Sequence, residues 1–214
     1  MLDINKLLEC AGNNIAETLK MVDPAQIEAI AEAIANAHKS GHNIFTAGWG
    51  RAGNVVRILG MDMSQIGMIV YCVGDNSTRS IQAGDILLIN SGSGNTKTIT
   101  IIAQQAKAMG ATVALISGNA PDNSNIGEIA DINVTVPRLQ KNNFRPPKPA
   151  SREKTHGQRV DWGLTPEQRE QMAYDGVTGY YESSFALNEV IKQVVMQKIG
   201  AKAEDIGFYH NNLE

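Results

Sequence analysis

Cysteine is scarce. Cys10 and Cys72 are the only two, which excludes a disulfide framework, and they do not form a CxxC pair. The four histidines make no HExxH motif, so no metal is expected. A basic excess is missing too. The 19 Lys and Arg against 22 Asp and Glu leave a net charge of −3, unlike the positive surplus of proteins that grip polyanions, and no nucleic-acid partner is expected. No apolar run approaches the ~18 residues of a membrane span, and no basic stretch followed by an apolar one opens the chain. The expectation is a cytoplasmic protein with no membrane partner. Charged residues, at 19%, are too few for a disordered chain, while 43% hydrophobic residues supply a full core.

Helical spacing comes first in the chain. Ile4, Leu7, Leu8, Ala11, Ile15 and Leu19 recur at that period. A second helix opens with Asp23 as N-cap, Pro24 at the first helical position and Gln26 three residues after the cap, and it closes at Ser40-Gly41. Short apolar runs at 43–47, 68–73, 85–90, 112–117 and 132–136 then read as buried strands. Helical stretches at roughly 52–66, 95–109 and 124–130 lie between them. This alternation predicts an α/β fold, a three-layer αβα sandwich around a five-stranded parallel sheet.

The pattern breaks from Pro137 to about Asp175, a stretch rich in proline that carries seven Lys or Arg between Arg138 and Arg159. Within it, Thr165-Pro166-Glu167-Gln168 is a capping box that predicts a short helix running to about Tyr174. A helix over 178–199 and a shorter one ending near Asn211 follow. No internal repeat is present. The organisation expected is a single domain, with helices over 1–40, an irregular insertion at about 137–175 and C-terminal helices over 176–214.

In an open parallel sheet the ligand sits beyond the carboxyl ends of the strands. Gly48-Trp49-Gly50-Arg51-Ala52-Gly53 follows the first strand as a literal GxGxxG. It fits a dinucleotide fingerprint, with Asp75 near the place of a ribose-binding acid, but Arg51 puts a cation in the loop that suits a phosphate dianion. Ser91-Gly92-Ser93-Gly94-Asn95-Thr96 follows the third strand. Small residues let backbone N–H groups converge, hydroxyls add donors, and the next helix adds its positive end, so the composition is that of a phosphate cradle. It is not a Walker A loop, since no Gly-Lys-Ser/Thr closes it. A third turn, Ser77-Thr78-Arg79-Ser80, follows the second strand.

Ser-Gly-Ser-Gly-Asn-Thr after a strand closely resembles the signature of the sugar isomerase (SIS) domains, which have a flavodoxin-like sandwich. Within that superfamily the chain is most similar to the 6-phospho-3-hexuloisomerases. The resemblance rests on 47–51, 85–94, Gly179-Tyr180-Tyr181-Glu182 and His210-Asn211-Asn212-Leu213-Glu214. It implies interconversion of a 3-ketohexose 6-phosphate and fructose 6-phosphate through an enediolate, with no cofactor. Glu182 matches the glutamate to which the family's proton transfer is attributed. His210 matches a histidine that opens the sugar ring, often in a neighbouring subunit's site. Ser91, Ser93 and Thr96 correspond to phosphate donors, alongside Gly48, Gly50 and Gly92 of the two turns. Arg51 would bind sugar hydroxyls or offset enediolate charge, and Thr78 matches a family threonine. Self-association to a dimer or tetramer is implied as well.

Three departures bear on which sugar is used. Ala52 stands where the family usually has serine, Arg79 where it tends to have proline, and the 137–175 segment is longer than in typical relatives. That segment would form a lid, line an enlarged pocket, pack against another subunit, or remain a solvated loop held by Trp162 and Tyr174. Two other functions stay open at this point: a phosphosugar-binding module that converts nothing, and a nicotinamide-binding domain built on Gly48–Gly53. A correctly placed base favours the enzyme over the first. The serine loop and the short sheet count against the second.

Overall fold

The computed structural model describes residues 2–139, 163–210 and 212. Two helices, α1 (Ile4–Lys20) and α2 (Pro24–Lys39), precede β1 (Ile44–Ala47), α3 (Gly50–Ser64), β2 (Val70–Cys72) and β3 (Ile86–Ser91). There follow α4 (Lys97–Ala108), β4 (Thr112–Ser117), a 3-10 turn at Pro121–Asn123 and β5 (Ile132–Thr135). The chain closes with α5 (Pro166–Asp175), α6 (Tyr180–Ile199) and α7 (Ala203–Tyr209). Most of the expected insertion, with Trp162, lies outside the described residues, as do Asn211, Leu213 and Glu214 of the tail.

The strands form one parallel sheet in the order β2-β1-β3-β4-β5. Side chains alternate between its faces. Ile44, Ile86, Leu88, Ala114, Ile116 and Val134 meet α2, α3 and α6, whereas Phe45, Ala47, Leu87, Ile89, Val113 and Leu115 meet α4. Both faces are covered, which is why the strands read as unbroken apolar runs rather than as alternating ones. The result is the three-layer αβα sandwich. Each large side chain fully buried between layers stabilises it by about 1.5–3 kcal/mol.

Register sets where the loops emerge. Ile44 pairs with both Val70 and Ile86, so β1 and β3 begin together, and Ala47 pairs with Ile89, so β3 runs two residues further, to Ser91. Asp85 fixes the opposite end. Its carboxylate is 1% exposed and accepts from the Asn43 N–H at 2.8 Å, Asn43 Nδ2 at 3.0 Å and the Gln82 N–H at 2.8 Å.

Two local expectations are corrected. The stretch at 124–130 is a series of turns rather than a helix. Ser124 Oγ donates to the Gly94 carbonyl and the Asn125 N–H to Asn95 Oδ1, which spend these groups on a neighbouring loop. Gln26 does not close a capping box on Asp23. Its Oε1 accepts the Thr135 N–H at 2.8 Å and ties α2 to β5, while Asp23 caps the helix through Ala25 N–H. At α5 the box forms in both halves, Thr165 with Gln168.

The corner that precedes α6 is pinned to α1. Asn14 Nδ2 donates to the Asp175 carbonyl at 3.2 Å, and the Thr178 hydroxyl donates to the Ala11 carbonyl at 3.0 Å. These bonds hold the first turn of α6 above the carboxyl edge of the sheet.

Candidate active site

The order β2-β1-β3 makes the gap between β1 and β3 the point where connections leave in opposite directions, α3 to one face and α4 to the other. Ligands of open sheets bind at such a point. Both glycine-rich turns emerge there. A Cβ on Gly48 would come within 2.9 Å of the Asn90 carbonyl oxygen, and one on Gly53 within 2.5 Å of the Gly48 oxygen. Gly50 has φ +59, a left-handed value that side chains disfavour. These glycines therefore draw α3 tightly onto the strand ends and leave Arg51 exposed in its first turn.

The serine turn is braced from behind. Gly94 has φ +63, and a Cβ there would fall 2.0 Å from Ser124 Oγ. Asn95 Nδ2 donates to the Asn123 carbonyl at 3.1 Å, and Asn119 Nδ2 to the Ser93 carbonyl at 2.9 Å. Ser91 and Thr96 hydroxyls lie 3.2 Å apart, and Ser93 is exposed. The N-cap of α4, Thr96, makes no side-chain cap bond, so the N–H groups of that first turn keep their capacity for an anion.

Glu182 stands in the first turn of α6 and is half-buried. Its Oε2 accepts the Gly179 N–H at 2.9 Å, which leaves Oε1 to meet a ligand. Glu182 and Arg51 line the same cavity of about 240 Å³, together with Tyr180, Tyr181, Thr178 and Arg138. The Arg51 guanidinium stacks on the Tyr181 ring, 4.1 Å from its centroid. The cavity's walls do not include Ser91 or Ser93. Tyr180 and Arg138 stand at the boundary, since both line the cavity and both touch Gly92.

Sequence reasoning missed this boundary. Tyr180 lies with its hydroxyl among Asn90, Ile116 and Ser184, and burial pushes its ionisation far above the ordinary tyrosine value, so it serves as a strut and not as an acid. A polar Asn90 directly after the apolar run Ile86–Ile89 was the one available signal. Nothing marked Arg138 among its neighbouring cations.

Other residues are placed elsewhere. The Thr78 hydroxyl donates to the Cys72 carbonyl, and the residue lines an apolar groove with Phe45 and Ile102 on the α4 face. Asp75 is engaged by Arg57 at 2.9 Å. His210 follows α7, where the Tyr209 ring packs beside Gly67 in the turn that leads into β2. Glu182 is the third of the twenty residues of α6, so the far end of that helix, which leads to α7, lies about 26 Å from it at ~1.5 Å per residue. His38 and His42 are four apart, but Ser40 and Gly41 end the helix between them. Among the described residues no group of three or more His, Cys, Asp or Glu stands together to hold a metal, and no helix is long and apolar enough to cross a membrane.

No family model matches the chain. It is 31% identical over 212 residues to a 3-hexulose-6-phosphate isomerase of Mycobacterium gastri, covering 99% of this chain and 92% of that one. A 3-hexulose-6-phosphate isomerase of Bacillus subtilis is 36% identical over 111 residues, 52% of this chain and 59% of that protein. Among solved structures, a Methanococcus jannaschii protein, from whose structure a molecular function of 3-hexulose-6-phosphate isomerase was inferred, superposes with a TM-score of 0.67. It is 20% identical and covers 97% of this chain and 98% of that one.

Proposed function

The chain belongs to the 3-hexulose-6-phosphate isomerase family and is an isomerase; on that premise we propose that it moves the carbonyl of a 3-ketohexose 6-phosphate to the neighbouring carbon, giving fructose 6-phosphate. The observation that carries this reading is the shared cavity of Glu182 and Arg51 beside the braced serine turn. The phosphate ester rests on Ser91, Ser93, Thr96 and the N-terminal N–H groups of α4. Its carbon chain passes Tyr180 to reach Glu182.

The chemistry then balances with one carboxylate. Glu182 takes the proton from C2, and the electron pair of that C–H bond becomes the C2–C3 double bond of an enediolate. As that double bond forms, the carbonyl pair at C3 moves onto its oxygen. The hydroxyl proton on the C2 oxygen then passes to the C3 oxygen, the carbonyl forms at C2, and the double-bond pair takes the proton back from the Glu182 carboxyl at C3. Glu182 is held for this by the Gly179 N–H on its other oxygen. Arg51, fixed over Tyr181, faces the negative charge that develops on the enediolate oxygens.

His210 supports a second part of the reading. The Tyr209 ring next to it packs beside Gly67, in the turn that enters β2, and this supports placing the ring-opening role of His210 in the site of a neighbouring copy, within a dimer or tetramer. The test of the main reading is direct. Purified protein mixed with a 3-ketohexose 6-phosphate should produce fructose 6-phosphate, detected by an enzyme-coupled assay. Absence of turnover with that ester would overturn it.

A further inference from the structure

We infer that Arg138 is a positioning residue of the phosphate cradle, acting through the peptide group that joins Gly92 to Ser93. The inference rests on the reading of Ser91–Thr96 as the ester-binding corner.

The Gly92 carbonyl oxygen accepts two hydrogen bonds, from Arg138 Nη2 at 2.9 Å and from the Gly118 N–H at 3.2 Å. That oxygen and the N–H of Ser93 belong to one planar trans peptide, so they point in opposite directions. Turning the oxygen toward Arg138 and Gly118 turns the Ser93 N–H away from them, to the exposed side of the loop. A bond from a guanidinium is charge-assisted, and it polarises the peptide so that the N–H at its other end becomes a better donor to an anion.

The place for the guanidinium is built. A Cβ on Gly92 would lie 3.2 Å from the Tyr180 ring and 3.4 Å from Arg138 Nη2, and one on Gly118 would lie 2.9 Å from Arg138 Nε. Glycine at 118 is what admits the side chain, and glycine at 92 spares the Tyr180 ring beside it. Tyr180 flanks it, with the guanidinium carbon 5.7 Å from the ring centroid. Nε is buried and has no hydrogen-bond partner, so the fork is oriented by Gly92 and not by that nitrogen. A cation that served only to fill the loop after β5 would not be aimed at the carbonyl whose peptide carries the Ser93 N–H.

The experiment measures binding and turnover separately, on the full chain. Calorimetry with inorganic phosphate and with fructose 6-phosphate is compared for the parent, Arg138→Lys and Arg138→Met, alongside kcat and KM. The Met variant should bind both anions at least ~10-fold more weakly, the worth of one charge-assisted bond. KM should rise by a similar factor while kcat stays near the parent's. Arg138→Lys should fall between, since it keeps the charge and loses the fork, and added ethylguanidinium should restore part of the Met variant's affinity. Unchanged anion affinity in both variants would overturn the inference and leave the proposed activity standing. A parent that binds neither anion would overturn the cradle itself, and this inference with it. A purely structural Arg138 would instead lower kcat and thermal stability together, with no response to ethylguanidinium.

Discussion

The hydroxyl of Tyr180 lies 2.8 Å from Oδ1 of Asn90 and 2.8 Å from the carbonyl oxygen of Ile116. Asn90 in turn donates from Nδ2 to Ser184 Oγ at 2.7 Å. Four polar groups from β3, β4 and α6 thus satisfy one another inside the protein, where Asn90 and Ser184 have no exposed surface. The network locks the first turn of α6, and therefore Glu182, to the strands that carry the cradle.

Removing that hydroxyl should be costly although the ring remains. Tyr180→Phe leaves the Asn90 oxygen buried without its donor, which costs about 1–3 kcal/mol. Urea unfolding of parent and variant measures it. A stability within experimental error of the parent's would mean that the network does not brace α6.

Glu182→Gln keeps the shape of the side chain and removes the proposed base. Turnover should fall by at least ~10², the usual contribution of a positioned general base, while fructose 6-phosphate still binds. Coupled-assay kinetics together with calorimetry separate the two effects. Turnover at the parent rate would show that another group moves the proton.

Gly94→Ala should damage the cradle without touching a catalytic group. The new Cβ meets Ser124 Oγ and the backbone must hold φ +63, so the loop has to shift. A loss of about 1–3 kcal/mol in stability is expected from the strained backbone, with weaker binding of inorganic phosphate. Thermal melts with and without phosphate report both.

Asp85 supplies a pH dependence. Burial opposes its charge, but the bonds from Asn43 and Gln82, with Arg79 nearby, hold the carboxyl below its ordinary value. A depressed carboxyl stabilises the fold above its unfolded value of about 3.9, and that contribution disappears as pH falls through the folded value. Asp85→Asn should therefore lower stability near neutral pH by about 1.5–3 kcal/mol and flatten the acid limb of a stability–pH profile. Parallel acid limbs in the two proteins would assign the acid sensitivity to other carboxylates.

Mixed oligomers test the neighbour's histidine. Glu182→Gln and His210→Ala proteins, each inactive alone, should regain activity when unfolded and refolded together, because hybrid assemblies then contain one intact site. Sedimentation of a chain lacking 205–214 should show whether α7 supports the assembly. No recovery in verified hybrids would show that His210 does not serve a neighbour's site.

Much of this protein was determined by local sequence. Five apolar runs bounded by turn residues specify strands because each is too short for a helix; the central β1, β3 and β4 are buried, and the edge strands β2 and β5 are half-buried. Thr165 and Gln168 specify the start of α5 because a capping box is a contact among four consecutive residues. The glycines of both turns were likewise legible, since a left-handed φ or a close backbone approach admits little else. What tertiary structure decided were the pairings of residues far apart in the chain. Ser124 braces Gly94, Gln26 serves Thr135 instead of its own helix, and Arg138 reaches Gly92 across 46 positions. Such partners are chosen by which strand ends the sheet order brings side by side, and no spacing along the chain encodes that order. The same holds for His210: its chemistry can be read from one residue, but its distance from Glu182 follows from the length and direction of α6.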